Sequence, residues 1–197
     1  VIDIDIRADL SGVSARLGVM ERELMPAAVR AMNKTLTTVR AEAAREFRPM
    51  YAGLKVSAIK ARMKLVRATR TKPVAAVVFN GSRFSLYRNF GMRAFGAWGV
   101  RFGKLPWRVE TLSGDIATEE LKANPRRLFR NRLRRGGRAA VFLRWTEQRL
   151  SHEMLVAPGL AQALVETAIG NKMVTVGRAR FLQVFDQEAR FILSKRK

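Results

Sequence analysis

Cysteine is absent from the 197 residues, and histidine occurs once, at His152. Without cysteine there is neither a disulfide nor a thiolate metal site, and one imidazole holds zinc only if carboxylates supply the other ligands. Glu147 and Glu153, the acids nearest His152, lack the spacing of a ligand set, so a surface or strand-end histidine is expected and no metal site is assigned. A G-x-S-x-G elbow, a P-loop and a G-x-G-x-x-G fingerprint are also missing, and no cofactor is expected. No apolar run reaches about 18 residues, the length that would suggest a transmembrane helix. Isoleucine and aspartate alternate at the start, which is wrong for a signal peptide. The expectation is a soluble protein assembled in a cytoplasm, with no membrane partner.

Acids are scarce in a patterned way. Between Glu46 and Glu110 there is no Asp or Glu against 14 Lys or Arg, and between Glu120 and Glu147 there is none against nine. Paired catalytic carboxylates are therefore confined mostly to the terminal regions. The closest-set aspartates, Asp3, Asp5 and Asp9, are the only start toward a nuclease-type cluster, and alternation along a strand suits them better to solvent. The chain is read as a non-enzyme, with no catalytic residue assigned.

What is present is positive charge on a globular composition. Lys and Arg number 38 against 16 Asp and Glu, a net +22, while hydrophobic residues make up 48%, enough for a core. Such a surface repels itself unless a polyanion or a partner neutralises it. The densest run, residues 122–138, holds Lys122, Arg126, Arg127, Arg130, Arg132, Arg134, Arg135 and Arg138. Arginine grips phosphate bidentately, so the seven arginines are candidate contacts to DNA or an acidic partner; the bland alternative is a solvated loop. A second basic zone, residues 55–72, supplies Lys60 and Lys64, with phosphate contact favoured over base reading because the zone offers chiefly Lys and Arg. Phe95, Trp98, Phe102 and Trp107, interleaved with glycine and arginine, are candidate subunit-interface anchors.

Periodicity predicts an α+β fold in a single domain, with an N-terminal strand, long helices, a central antiparallel or mixed sheet, an extended basic loop at about 113–138 and C-terminal helices. Residues 1–7 read as a strand. A helix follows Ser11 or Ser14, and Pro26 opens a second one that runs to about Phe47 on the stripe Val29, Met32, Leu36, Val39, Ala43 and Phe47. Residues 57–67 read as a third helix. Residues 74–79 and 84–87 read as strands joined at the Asn80-Gly81 turn signal. Strands are expected at 107–112, 139–145 and 153–156. Pro158 opens a helix with Leu160, Leu164, Val165 and Ala168 inward, Gly170-Asn171 breaks it, and a last helix covers about 176–193.

Residues 26–35 (PAAVRAMNKT) with the Ala/Thr-rich helix after them, residues 56–69 (VSAIKARMKLVRAT) before a strand, the Pro158-led helix and the closing FILSKRK resemble the minor tail protein Z family of long-tailed bacteriophages. The likeness follows the order of elements along the chain and is close at the two ends; residues 90–138 match only in basic, glycine-bearing character. The resemblance implies a virion protein of the tail or neck that completes the tail and helps join head to tail. It further implies a homo-oligomeric ring around double-stranded DNA in the channel, beside neighbouring tail and neck proteins. It supplies no functional residue motif. The alternative from a different class is a free, non-sequence-specific nucleic-acid-binding protein.

Overall fold

The computed structural model describes residues 2–6, 21–90, 93–95, 99–101, 105–111, 115–116, 121, 128–132, 139–144 and 152–194. The fold is α+β, helices with antiparallel sheets, and the chain forms two compact units. Among the described residues no helix is long and apolar enough to cross a membrane.

The first unit comprises Val1–Arg45, Lys60–Asn80 and Leu164–Lys197. Its sheet has three strands, β1 (Ile2–Ile6), β2 (Met63–Val66) and β3 (Ala75–Phe79), in the order β1-β3-β2 with both pairings antiparallel. The long helix α1 (Glu21–Met50) buries Leu24, Ala27, Ala28, Ala31, Met32, Leu36, Val39 and Ala43 at spacings of three and four. Each fully buried Leu or Val contributes roughly 1.5–3 kcal/mol, which explains why this face persists through a helix breaker. Pro26 does not open a helix. It lies inside α1, at the expense of one main-chain hydrogen bond, because Leu24, Ala27 and Ala28 on either side are all buried.

The C-terminal helices also correct the expected pattern. Helix α4, the short Leu160–Glu166, and helix α5, Ile169–Ser194, meet at Thr167-Ala168, and Gly170 sits within the first turn of α5 rather than breaking a helix. Val165 is 71% exposed and Ala168 is exposed, so neither faces the core. Along α5 the buried side is Ile169, Met173, Phe181, Val184, Phe185 and Ala189, with the Phe181 and Phe185 rings stacked at 5.7 Å.

The second unit comprises Glu46–Ile59 and Gly81–Ala163. It holds helix α2 (Val56–Ala61) up to Ile59, the short helix α3 (Leu86–Asn89) and an eight-stranded sheet. The strands are β4 (Phe84–Ser85), β5 (Arg93–Phe95), β6 (Gly99–Arg101), β7 (Val109–Glu110), β8 (Asp115–Ile116), β9 (Leu128–Arg132), β10 (Ala139–Arg144) and β11 (His152–Ala157). Seven follow the order β5-β6-β9-β10-β11-β7-β8, and β4 pairs with β11. Tyr51 is fully buried; its hydroxyl donates to the carbonyl of Pro158 at 3.0 Å, and its ring packs against Phe47 and Phe84. Gly53, at φ 99°, turns the chain after α1 in the left-handed region that favours glycine.

Three further expectations fail here. Residues 63–66 form β2 rather than the end of a helix, because the ladder to β3 takes their main-chain hydrogen bonds. Asn80-Gly81 does not close a hairpin: β3 pairs with β1 and β2, while β4 pairs with β11. Finally, Leu128–Arg132, inside the stretch expected to be a loop, is a strand paired with β10 in register Phe129 to Phe142.

Candidate nucleic-acid interface

The hairpin made by β2, β3 and the loop between them gathers cations without acids. Residues 60–80 contain Lys60, Arg62, Lys64, Arg67, Arg70 and Lys72 and no Asp, Glu or His. Lys64, Arg67, Arg70 and Lys72 are exposed, and none forms an ion pair among the described residues. Elsewhere in the first unit several cations are matched. Lys34 and Arg30 meet Glu188, Arg45 meets Glu42, and Arg190 meets Asp186.

The loop is held rather than loose. Ala68 is buried between exposed neighbours, and Asn33 on α1 fastens its main chain from both sides. The Asn33 amide donates to the Ala68 carbonyl at 3.0 Å, and the Ala68 N–H donates to Asn33 Oδ1 at 2.9 Å. Thr69 closes the tip: its N–H donates to the Lys72 carbonyl, and its hydroxyl accepts the Lys72 N–H, each at 3.0 Å. At the base, the Arg40 guanidinium donates to the Lys60 carbonyl at 2.7 Å, and the Asn80 N–H to the Arg62 carbonyl at 2.9 Å. Arg67, Arg70 and Lys72 thus project from a fixed turn. Such a surface is rich in donors and positive charge, which suits binding of an anion.

Of the residues expected from sequence, Lys60 lies near the end of α2 and is half-buried, and Lys64 lies on β2 and is exposed. The helical reading of this basic zone therefore holds only as far as Ala61, and Lys64 stands on a strand. Arg130 and Arg132 lie on β9 in the second unit. Arg126, Arg127, Arg134, Arg135 and Arg138 fall outside the described residues. Phe95 lies on β5, Trp98 and Phe102 are outside the described residues, and Trp107 is 38% exposed with the Arg108 guanidinium 5.8 Å from its ring centroid. Sequence reading missed Asn33, whose one signal is a poor helix former set inside a strong helix.

Two features complete the electrostatics. Glu188, hydrogen-bonded by Lys34 and near Arg30, is held below the ordinary glutamate range, with burial opposing part of the effect. In the second unit Glu110 is buried at 4% exposure and accepts from Gln162 Nε2 at 2.7 Å. Arg83 lies 3.3 Å and Arg108 3.6 Å from its carboxylate, and Arg108 also meets Asp115. These are mutually neutralised groups that fasten β7 and β8. His152, at the start of β11, is edge-on to Phe129 and Phe142. Among the described residues no three His, Asp or Glu are placed to hold a metal ion. No protein-family model, curated protein or solved structure matches the chain.

Proposed function

We propose that the chain is a structural virion protein of a bacteriophage tail or neck. In this reading it completes the tail and helps join head to tail around the DNA channel, with no catalytic role, and its β2–β3 hairpin lies against the DNA backbone. One observation carries the DNA-facing part: three exposed cations, Arg67, Arg70 and Lys72, on a turn fixed by Asn33 and with no ion pair among the described residues. The place in the virion is supported by the resemblance of residues 26–35 and 56–69 to the minor tail protein Z family. By sequence the arginines at 126–138 offer the same chemistry to phosphate, and the exposed Trp107 is an anchor for a neighbouring subunit.

The charge part is tested by fluorescence anisotropy with a short duplex over a salt series. Each phosphate contact adds about −0.9 to the slope of log affinity against log salt. Replacing Arg67, Arg70 and Lys72 together with alanine is expected to flatten the slope by about 3, equally on unrelated sequences. An unchanged slope removes the hairpin from the DNA contact. Imaging of the phage particle tests the location: density at the head–tail junction or along the tail is expected. Tight DNA binding by a chain absent from the particle favours the free nucleic-acid-binding reading instead.

A further inference from the structure

We infer that a second copy of this chain extends the three-stranded sheet head to tail, β1 of one copy pairing along the outer edge of β2 of the next. Among the described residues neither outer edge has a partner, since β3 is the middle strand. Unpaired edges are templates for another strand. The two edges differ in charge. The register sets four rows across the sheet: Ile2–Phe79–Met63, Asp3–Val78–Lys64, Ile4–Val77–Leu65 and Asp5–Ala76–Val66. Directly opposed residues share a face, so Asp3 and Lys64 end the same row at opposite edges.

Repeating this unit places each row's end beside its own beginning in the next copy. Lys64 then meets Asp3, Met63 meets Ile2 and Leu65 meets Ile4, so acid meets base and apolar rows continue as apolar rows. Both β1 and β2 are antiparallel to β3, so they run the same way and the new pairing is parallel. Symmetric alternatives are worse. Pairing β2 with β2 opposes Lys64 and Arg67 to their own kind, and pairing β1 with β1 opposes Asp3 and Asp5, and like charges across strands are destabilising. A lysine on an edge usually guards it against another edge; here the same lysine turns away β2 and admits the acidic β1. Contacts that are not self-complementary build rings when the rotation closes. The inference rests on the sheet edges alone and stands or falls separately from DNA binding.

The absence of cysteine makes a direct test available. Asp5→Cys and Val66→Cys occupy one row and leave Asp3 and Lys64 in place. Within one copy the two positions are separated by β3, about 9.6 Å at two strand spacings. A disulfide needs Cα atoms within about 6.8 Å, so a bridge between them reports on two copies. Under mild oxidation the double variant is expected to give a ladder of multimers that reduction collapses, and each single variant is expected to stay monomeric. Adding Lys64→Glu to the double variant is expected to abolish the ladder, and adding Asp3→Lys as well to restore it. Dimers from either single variant, no cross-link in the double variant, or a ladder indifferent to Lys64→Glu overturns the inference.

Discussion

Gly159 follows Pro158 at the end of β11, where the chain leaves the sheet for α4, and Gly159→Ala is the substitution whose cost the structure states most directly. A Cβ built there falls 2.4 Å from the carbonyl oxygen of Gly81, 2.7 Å from its carbon and 3.0 Å from the Ser82 carbonyl oxygen. Cβ atoms essentially never approach another heavy atom closer than 3.0 Å, so relief requires a shift of about 3.0 − 2.4 = 0.6 Å. The obstacle is main chain, which cannot rotate away as a side-chain tip would. Overpacking of this kind costs about 1–3 kcal/mol, and a main-chain obstacle belongs in the upper half. For a chain of this size each kcal/mol lowers the melting temperature by about 2–4 °C, so a fall of about 4–12 °C is expected in differential scanning calorimetry. Gly170→Ala is the matched control. Its Cβ would meet nothing closer than the Leu164 carbonyl oxygen at 3.5 Å, and it lies in a helix, where alanine is favoured over glycine by up to about 1 kcal/mol. The control is expected to melt at or above the parent temperature. A Gly159→Ala protein that melts with the parent, or two variants that shift alike, refutes the steric argument.

Two more outcomes follow from groups described above. Because Glu188 has a folded-state pKa below its ordinary value of 4.5, its pairing with Lys34 and Arg30 stabilises the fold above that value. The contribution is lost as pH falls through the folded-state pKa. Glu188→Gln, which costs about 1 kcal/mol or less at neutral pH since both partners are over half exposed, is expected to show a shallower acid loss in urea unfolding between about pH 6 and pH 3; parallel pH profiles count against the pairing. Asn33→Ala removes both bonds to Ala68 and is expected to cost about 1–2 kcal/mol. Amide exchange at Ala68 and Thr69 should speed up, and duplex affinity should fall with the salt slope intact, because no charge is removed; a changed slope would mean that Asn33 acts through something other than loop shape.

How far sequence alone reaches depends on whether the deciding contact is local. Of the stripe Val29, Met32, Leu36, Val39, Ala43 and Phe47, all but the half-buried Val29 are buried, and its spacing shows in the residues themselves. The strands at 75–79, 139–144 and 152–157 were likewise announced by apolar runs. Residues 57–67 read as one helix because Ile59, Met63 and Val66 fit a helical period; the β3 ladder, outside that window, makes Met63–Val66 a strand. Leu128–Arg132 has two apolar residues and reads as a basic loop. Its partner β10 makes it a strand, with Phe129 stacked on Phe142 at 5.7 Å and the Arg144 guanidinium 5.2 Å from the Phe129 ring. The candidate interface divides the same way. Its charge was visible in the acid-free stretch, but the clamp on Ala68 comes from Asn33, 35 residues earlier, and no local pattern records it.

The contact between Gly81 and Gly159 bears on where this protein can be tagged. Residues 80–83 are all exposed and look like a natural place to insert an epitope or a fluorophore-binding peptide. Yet the Asn80 N–H is bonded to the Arg62 carbonyl, the Gly81 main chain stands against Gly159, and Arg83 reaches Glu110. A peptide spliced in here would have to part main chain that already fits without room for a methyl group. Visibility to solvent and tolerance of insertion are separate properties, and at this junction the protein has the first without the second.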